Sequence, residues 1–157
     1  INKINSIDKI NEKDWDKICD VNLKGPYILT KLVSRKLIKQ KSGKIINIAS
    51  IFGVVSKQKR AAYSSSKWGL IGFTKAVALD LAEHNIQVNA ISPGFVDTAL
   101  TRSILTNKEI DKLKVMIPQK RLANPKEIAE LVLFLASEKN SYITGQNIII
   151  DGGYTSA

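Results

Sequence analysis

Two short β-branched segments flank a long helical segment in the middle of the chain, and this alternation constrains the fold more than any other feature. Residues 44–48 and 86–91 are apolar runs of strand length, each followed by a turn. Residues 61–83 between them follow a helical pattern rich in Ala, Ser and Gly. Strands that alternate with helices are typical of a parallel sheet covered on both faces. The sequence therefore predicts an α/β protein.

Further elements extend this order toward both ends of the chain. Residues 11–40 are predicted to be helical, with Asn11 near the N-terminal cap. The Gly25-Pro26 pair interrupts this stretch, so we expect a kink or a break near Lys24. The apolar face of this helix is expected to contain Ile18, Val21, Leu29, Leu32, Val33 and Leu37. The sequence also predicts short, mobile helices over residues 97–105 and 107–116, a helix over 125–137 capped by Asn124, and a last strand over 147–150.

Tyr63 and Lys67 stand four residues apart at the start of the central helix, and Ser50 follows the first strand. Residues four apart share one helix face, and a cation placed there favours the phenolate form of a tyrosine. The Ser50 hydroxyl could then hydrogen-bond the oxygen of a carbonyl or an alcohol while Tyr63 exchanges the proton of that oxygen. The carbon would need a hydride, which no side chain supplies, so redox chemistry implies a nicotinamide cofactor. The alternative is a surface Tyr and Lys beside a Ser that caps a strand.

The position of these residues agrees with the predicted sheet. In parallel sheets the loops at the carboxyl ends of the strands carry the functional site. Ser50 follows the first strand, and Pro93-Gly94 follows the second. Both turns are therefore expected at the same edge of the sheet.

The chain also resembles the short-chain dehydrogenase/reductase family, classical type, over nearly all of its 157 residues. The segments that carry the resemblance are residues 20–25, 47–50, 63–67, 92–98, 143–146 and 151–153. The resemblance implies a Rossmann-like doubly wound parallel sheet. It also implies that Asn22 joins Ser50, Tyr63 and Lys67 in the catalytic set, since the matching helix position in the family holds a water for proton relay.

By the same resemblance, the cofactor is NAD or NADP. The residues implied for its binding are Tyr63, Lys67, Pro93, Gly94, Val96 and Thr98. Lys67 would hydrogen-bond the nicotinamide ribose, while the Thr98 hydroxyl and the backbone of residues 93–96 would hold the nicotinamide end. The family residues that choose between NAD and NADP lie in a strand that does not occur in this chain.

Two other parts of the family pattern do not occur in the sequence: the glycine-rich turn that seats the pyrophosphate, and the Asn-Asn-Ala-Gly element before the segment that resembles residues 1–11. The chain begins with Ile1, and its methionine is Met116. We interpret residues 1–157 as one domain portion, the carboxyl-terminal part of a longer enzyme with the glycine-rich half missing. A natural short protein is the alternative. We expect the isolated chain to be inactive and prone to aggregate, with too few neighbours for Ile45, Ile46, Ile48, Val88, Ala90 and Ile91.

The resemblance implies an NAD(P)-dependent oxidoreductase that acts on a small-molecule carbonyl or secondary alcohol, either free or carrier-bound. Residues 121–127 and the tail after them look similar to the branch of the 3-oxoacyl-[acyl-carrier-protein] reductases, which also contains sugar and steroid dehydrogenases. The alternative is a truncated, non-catalytic fragment or pseudoenzyme that keeps the fold and oligomer contacts. Because residues 61–83 are apolar on more than one face, and the family usually dimerises through this helix and the one before it, we expect a homodimer or homotetramer.

Composition and charge argue against other classes of protein. The net charge of +10 arises from scattered basic residues without a block of like charges or interleaved aromatics, so no nucleic-acid partner is expected. The sequence has one cysteine, Cys19, and one histidine, His84, so it shows no pattern of a disulfide framework or a metal site. Without an apolar run of membrane-spanning length, we expect a cytoplasmic protein with no membrane partner. Lys57, Lys59 and Arg60, between Ser50 and Tyr63, are either solvated loop charges or groups that steer an anionic substrate.

Overall fold

The protein is built on a three-stranded parallel sheet. The computed structural model describes residues 1–157, except for the side chain of Ile104. Strands β1 (Gly43–Ile48), β2 (Ile86–Pro93) and β3 (Asn147–Ile150) lie in the order β1-β2-β3. The register pairs Gly43 with Ile86 and Ile48 with Ile91, so the carboxyl ends of β1 and β2 reach the same edge. The predicted parallel α/β architecture is confirmed.

Six α-helices accompany the sheet in the described part of the chain: α1 (Glu12–Cys19), α2 (Gly25–Gln40), α3 (Ala61–Leu81), α4 (Ala99–Ile104), α5 (Asn107–Met116) and α6 (Pro125–Ala136). Both predicted caps are confirmed, because Asn11 accepts a hydrogen bond from the backbone of Asp14 and Asn124 accepts one from the backbone of Lys126. None of the helices, as far as the structure describes them, is long and apolar enough to cross a membrane.

The Gly25-Pro26 pair changes the pitch of the first helical stretch without breaking it. A π-helical turn, Asp20–Lys24, joins α1 directly to α2. In an α-helix the N–H of residue 26 would bond the carbonyl of Asn22, but proline has no N–H. The N–H of Gly25 bonds the carbonyl of Asp20, five residues back. The expected interruption is therefore a local widening of the helix, a type of irregularity frequent at functional sites.

Only part of the predicted apolar face of this stretch is buried. Ile18 is buried and Leu37 packs on the core, as predicted. The other four residues are roughly half exposed or more, namely Val21, Leu29, Leu32 and Val33. Leu29, Leu32, Val33 and Leu37 all lie within α2 at helical spacing, so this side of the helix is largely exposed and only its C-terminal end packs on the core.

The core is centred on β2. Val88, Ala90 and Ile91 are completely buried, and the polar residues between and after them are buried as well. Successive strand residues point to opposite faces, so both faces of β2 are covered. The expectation that these three side chains lack neighbours is wrong, because β2 has a strand on each side and α3 and α6 pack against it. Ile48, on the outer strand β1, is 47% exposed.

Helix α3 carries apolar side chains on both its core side and its outer side. Ala78 and Leu81 form a buried cluster with β2. Trp68 and Leu79 are exposed on the outer side. The predicted pattern, with apolar residues on more than one face of this helix, is therefore present in the structure.

Candidate active site

Ser50 lies immediately beyond the end of β1. The backbone N–H of Ala49 donates to the carbonyl of Ile91 at 2.7 Å, which keeps this segment paired with β2. Ser50 then begins a 3₁₀ turn, Ile51–Gly53, and its side-chain oxygen accepts a hydrogen bond from the N–H of Phe52 at 3.1 Å. Since the oxygen serves as an acceptor in this bond, the hydroxyl hydrogen is left to donate to another group.

Gly53 allows this turn to lie directly against α3. A Cβ atom at this position would be 3.0 Å from the carbonyl oxygen of Lys67 and 2.7 Å from the Cδ1 atom of Ile71. No side chain fits at such distances without a shift of the helix backbone. The absence of a side chain at Gly53 therefore sets how closely the Ser50 turn approaches the helix that carries Tyr63 and Lys67.

Tyr63 and Lys67 lie together on the first turns of α3. The Lys67 Nζ atom is 5.8 Å from the centroid of the Tyr63 ring and donates to the carbonyl of Ile48, at the end of β1, at 2.8 Å. Burial lowers the pKa of the Lys67 ammonium, because the charged form is less well solvated there. The Tyr63 ring stands edge-on to Phe52 at a centroid distance of 6.3 Å. Three of the four predicted catalytic residues thus meet at the carboxyl end of β1.

Asn22, the fourth predicted residue, is buried in the π-helical turn and linked to α3 through Ser66. Its Nδ2 atom donates to the Ser66 hydroxyl at 3.1 Å and to the carbonyl of Ile1 at 2.8 Å. The Ser66 hydroxyl in turn donates to the carbonyl of Tyr63 at 2.7 Å. Sequence reasoning missed Ser66, although its position three residues after Tyr63 placed it one helical turn away.

The segment after β2 approaches the same edge of the sheet. The Phe95 ring contacts Phe52 at a centroid distance of 6.3 Å, which places residues 93–98 beside the Ser50 turn. The N–H of Gly94 donates to the carbonyl of Ile150 at 2.9 Å, and a Cβ at Gly94 would lie 2.8 Å from the Cα of Asp151. Val96 pairs with Ala123 in an isolated bridge, and the Thr98 hydroxyl accepts a hydrogen bond from the N–H of Thr101 as the cap of α4. The predicted cofactor residues are therefore brought to the predicted edge.

Fold and site together define a Rossmann-like α/β protein with Ser, Tyr and Lys side chains at the carboxyl edge of its sheet. Residues 2–155 match a family model described as enoyl-(acyl carrier protein) reductase. The chain belongs to the short-chain dehydrogenase/reductase family.

Relatives with curated functions and solved structures give the same assignment. The chain is 43% identical over 145 residues to a 3-oxoacyl-[acyl-carrier-protein] reductase of Thermotoga maritima, covering 92% of this chain and 58% of that protein. A mutant 4-hydroxyisoleucine dehydrogenase complexed with NADH and succinate superposes with a TM-score of 0.95 at 37% identity, over 100% of this chain and 65% of that one. A gluconate 5-dehydrogenase of Burkholderia cenocepacia, in complex with NADP and tartrate, gives 0.95 at 32% identity, over 100% and 62%. The chain thus spans less than two thirds of each of these proteins.

Proposed function

We propose that this chain is part of an NAD(P)-dependent oxidoreductase, which transfers hydride between a nicotinamide and a carbonyl or secondary alcohol. The observation that carries the proposal is the meeting of Ser50, Tyr63 and Lys67 at the end of β1, with the Lys67 ammonium held by the Ile48 carbonyl. A phenol, a hydroxyl and a cation in one place can polarise an oxygen atom and exchange a proton with it.

Each side chain has a distinct role in this proposal. In the direction of reduction, the Tyr63 hydroxyl gives its proton to the carbonyl oxygen as the carbonyl carbon gains a hydride. In the direction of oxidation, the Tyr63 phenolate removes the proton of the alcohol. Ser50 donates a hydrogen bond to the same oxygen and stabilises its developing negative charge. Lys67 stabilises the phenolate electrostatically.

Asn22 is proposed to support proton exchange from the π-helical turn. Pro26 leaves the carbonyl of Asn22 without its usual helical N–H donor, so this oxygen can accept a hydrogen bond from a water molecule. The hydrogen bond from the Asn22 side chain to Ser66 ties this carbonyl to the first turns of α3. A water held there would deliver protons to Lys67 and then to Tyr63.

The residues at this edge of the sheet fit a nicotinamide nucleotide. Lys67 is an amine that could donate to a ribose hydroxyl, and Gly94 provides a partly buried backbone without a side chain after β2. Pro93, Val96 and Thr98 extend this surface toward α4. When bound, NAD or NADP supplies or accepts the hydride that no side chain provides.

The substrate is proposed to be a small carbonyl compound or alcohol, either free or attached to a carrier. The Thermotoga relative is named for a carrier-bound 3-oxoacyl group. Two structural neighbours are named for 4-hydroxyisoleucine and gluconate, both of which carry a carboxylate. Each of these compounds carries a ketone or a secondary alcohol together with an acyl or carboxyl group, and this combination defines the range of substrates to be tested.

A homo-oligomer is also proposed. Large apolar side chains are exposed on the outer sides of two neighbouring helices, Leu29 and Leu32 on α2 and Trp68 and Leu79 on α3. Exposed apolar side chains grouped in this way are typical of protein interfaces. Light scattering of the full-length gene product should give the mass of a dimer or tetramer, and the mass of a monomer would contradict this part of the proposal.

The direct test is the substitution Tyr63→Phe in the protein expressed at the full length that its gene encodes. The change removes the proton donor and keeps the ring, so we expect turnover to fall at least about a hundredfold. The assay follows oxidation of NADH and NADPH with acetoacetyl-CoA and with ethyl acetoacetate. Tyr142→Phe, at a residue that is 96% exposed, is the matched control and should retain activity. Near-normal turnover of Tyr63→Phe would contradict the role of Tyr63, and no turnover by the parent protein would contradict the function.

A further inference from the structure

Arg60 lies one helical turn before Tyr63 and has an unusual environment. Its Nε and Nη1 atoms are buried and have no hydrogen-bond partner. No other buried side-chain nitrogen or oxygen atom in the described part of the chain lacks a partner. Its guanidinium lies over the ring of Phe52, with the central carbon 5.8 Å from the ring centroid. The same ring contacts Tyr63. A charged group is thus kept beside the proposed catalytic tyrosine with part of its hydrogen-bonding capacity unused.

Such an arrangement is unfavourable unless an acceptor is supplied. Guanidinium has five N–H donors and no acceptor, and buried donors that bond neither water nor protein carry a desolvation cost. Burial lowers the pKa of Arg60, and the nearby Tyr63 acts in the opposite direction. Stacking on Phe52 compensates only part of the cost, because a ring face does not satisfy in-plane N–H donors.

A groove of about 400 Å³ adjoins Arg60. It is lined by residues 5–7 and by residues 56–61, and the N–H of Asn5 donates to the carbonyl of Lys59, which links the two segments. Lys57, Lys59 and Arg60 line it, and none of its described lining residues is acidic. The adjoining end of α3 adds the partial positive charge of a helix N-terminus, which has no side-chain cap here. The groove is therefore suited to a negatively charged group.

We propose that this groove binds a carboxylate of the substrate, with Arg60 as the residue that recognises it and Tyr63 acting on the carbonyl at the other end of the same molecule. The inference rests on the proposed function and narrows its substrate to oxo acids and hydroxy acids. Binding requires the guanidinium to turn from Phe52 toward the groove, where two oxygen atoms can accept from its N–H donors. Planar carboxylates match the geometry of these donors, so Arg60 selects for an acid over its ester.

The contribution of Arg60 is expected in binding more than in turnover. The carboxylate does not react, so its contacts are equally strong in the ground state and the transition state. Loss of the guanidinium should raise KM for an acid and leave kcat nearly unchanged. A residue with a merely structural role would affect an acid and its ester alike.

The test compares acetoacetate with ethyl acetoacetate as substrates of the full-length gene product. Arg60→Gln should raise KM for acetoacetate at least about tenfold, while kcat and the KM for the ester change less than about twofold. Arg60→Lys keeps the charge without the planar donors and should give an intermediate KM. Arg35→Gln removes an exposed arginine from α2 and should behave as the parent protein. Melting temperatures of the variants identify any loss of folding.

A second measurement does not depend on catalysis. Succinate, which cannot be reduced under these conditions, should bind to the parent protein and to Arg35→Gln in calorimetry, but not to Arg60→Gln. Binding of succinate without reduction of either ester or acid would contradict the proposed function and leave the carboxylate site standing. Reduction of the ester with no preference for the acid, or succinate binding that survives Arg60→Gln, would overturn the carboxylate site and leave the function standing.

Discussion

The two ends of α3 are held in place by different kinds of contact. At its N-terminal end, polar groups and close backbone contacts dominate: Lys67 donates to the Ile48 carbonyl, Ser66 links Asn22 to the helix, and Gly53 packs against the backbone of Lys67. At its C-terminal end, Ala78 and Leu81 form a buried apolar cluster with Ile86 and Val88 of β2.

This difference separates the source of stability from the source of proposed activity within one helix. Apolar contacts at the C-terminal end remove surface from water, and their contribution to stability does not depend on the direction of the contact. Hydrogen bonds and backbone contacts at the N-terminal end contribute less free energy each but fix positions closely. Substitutions at the N-terminal end should therefore alter activity more than stability, and substitutions at the C-terminal end should do the reverse.

The largest effect is expected for Lys67→Met in the full-length protein. The proposed function predicts a fall in turnover of about 10²- to 10⁴-fold, together with weaker nicotinamide binding. Steady-state rates and titration with NADH measure these effects.

Lys75→Met is the matched control, because Lys75 is an exposed residue two turns further along α3. It should leave both the rate and nucleotide binding unchanged. If Lys67→Met weakened nucleotide binding but kept the parental turnover at saturating nucleotide, Lys67 would have a binding role only.

Leu81→Ala tests the opposite end of the helix. Leu81 is 5% exposed and packs on β2, so its truncation should lower the free energy of unfolding by about 3 kcal/mol. At temperatures where the variant remains folded, kcat should stay near the parental value. Leu133→Ala removes the same atoms from a side chain of α6 that is 61% exposed and should cost far less. Equal losses from both variants in urea unfolding would disprove the stabilising role of the buried end of α3.

Gly53→Ala inserts a methyl group between the Ser50 turn and α3. Overpacking of this kind costs about 1–3 kcal/mol of stability, and a displaced Ser50 turn should lower turnover about tenfold. Gly72→Ala is the control, since a Cβ at Gly72 has no neighbour within 4 Å, and alanine should be neutral or stabilising there. Unchanged turnover in Gly53→Ala would show that the approach of the turn to α3 is not important for the chemistry.

The smallest effect is expected at Glu127, away from α3. Hydrogen bonds from the Arg121 side chain and the Asn124 backbone lower the pKa of Glu127 from 4.5 to about 2. Because the folded-state pKa is depressed, this stabilisation is complete above pH 4.5 and is lost as the pH falls toward 2. Glu127→Gln should lower the melting temperature slightly at pH 7 and not at pH 2. Glu130→Gln, which makes the same charge change at an exposed position of α6, is the matched control. A difference that persisted at pH 2 would contradict the ion-pair explanation.

Features that depend on neighbouring residues were predictable from the sequence. The strands, the caps at Asn11 and Asn124 and the shared face of Tyr63 and Lys67 follow from spacings of one to four residues. The resemblance to the family extended this prediction to Asn22 and to the segment after β2. The sequence could not show which part of an apolar helix face is buried, because Leu29 and Leu32 are exposed on the same helix that packs Leu37 on the core.

The sequence by itself determined the order of strands and helices and the identity of the proposed catalytic side chains. Local spacing and side-chain chemistry are properties of the sequence and do not depend on the fold. Only the tertiary structure decided that β2 is covered on both faces, that Ser66 joins Asn22 to α3, and that Arg60 lies unpaired beside a basic groove. These features arise from contacts between residues far apart in sequence, such as the 44 positions between Asn22 and Ser66. Burial and hydrogen-bond partners are properties of packing, and packing exists only after the chain has folded.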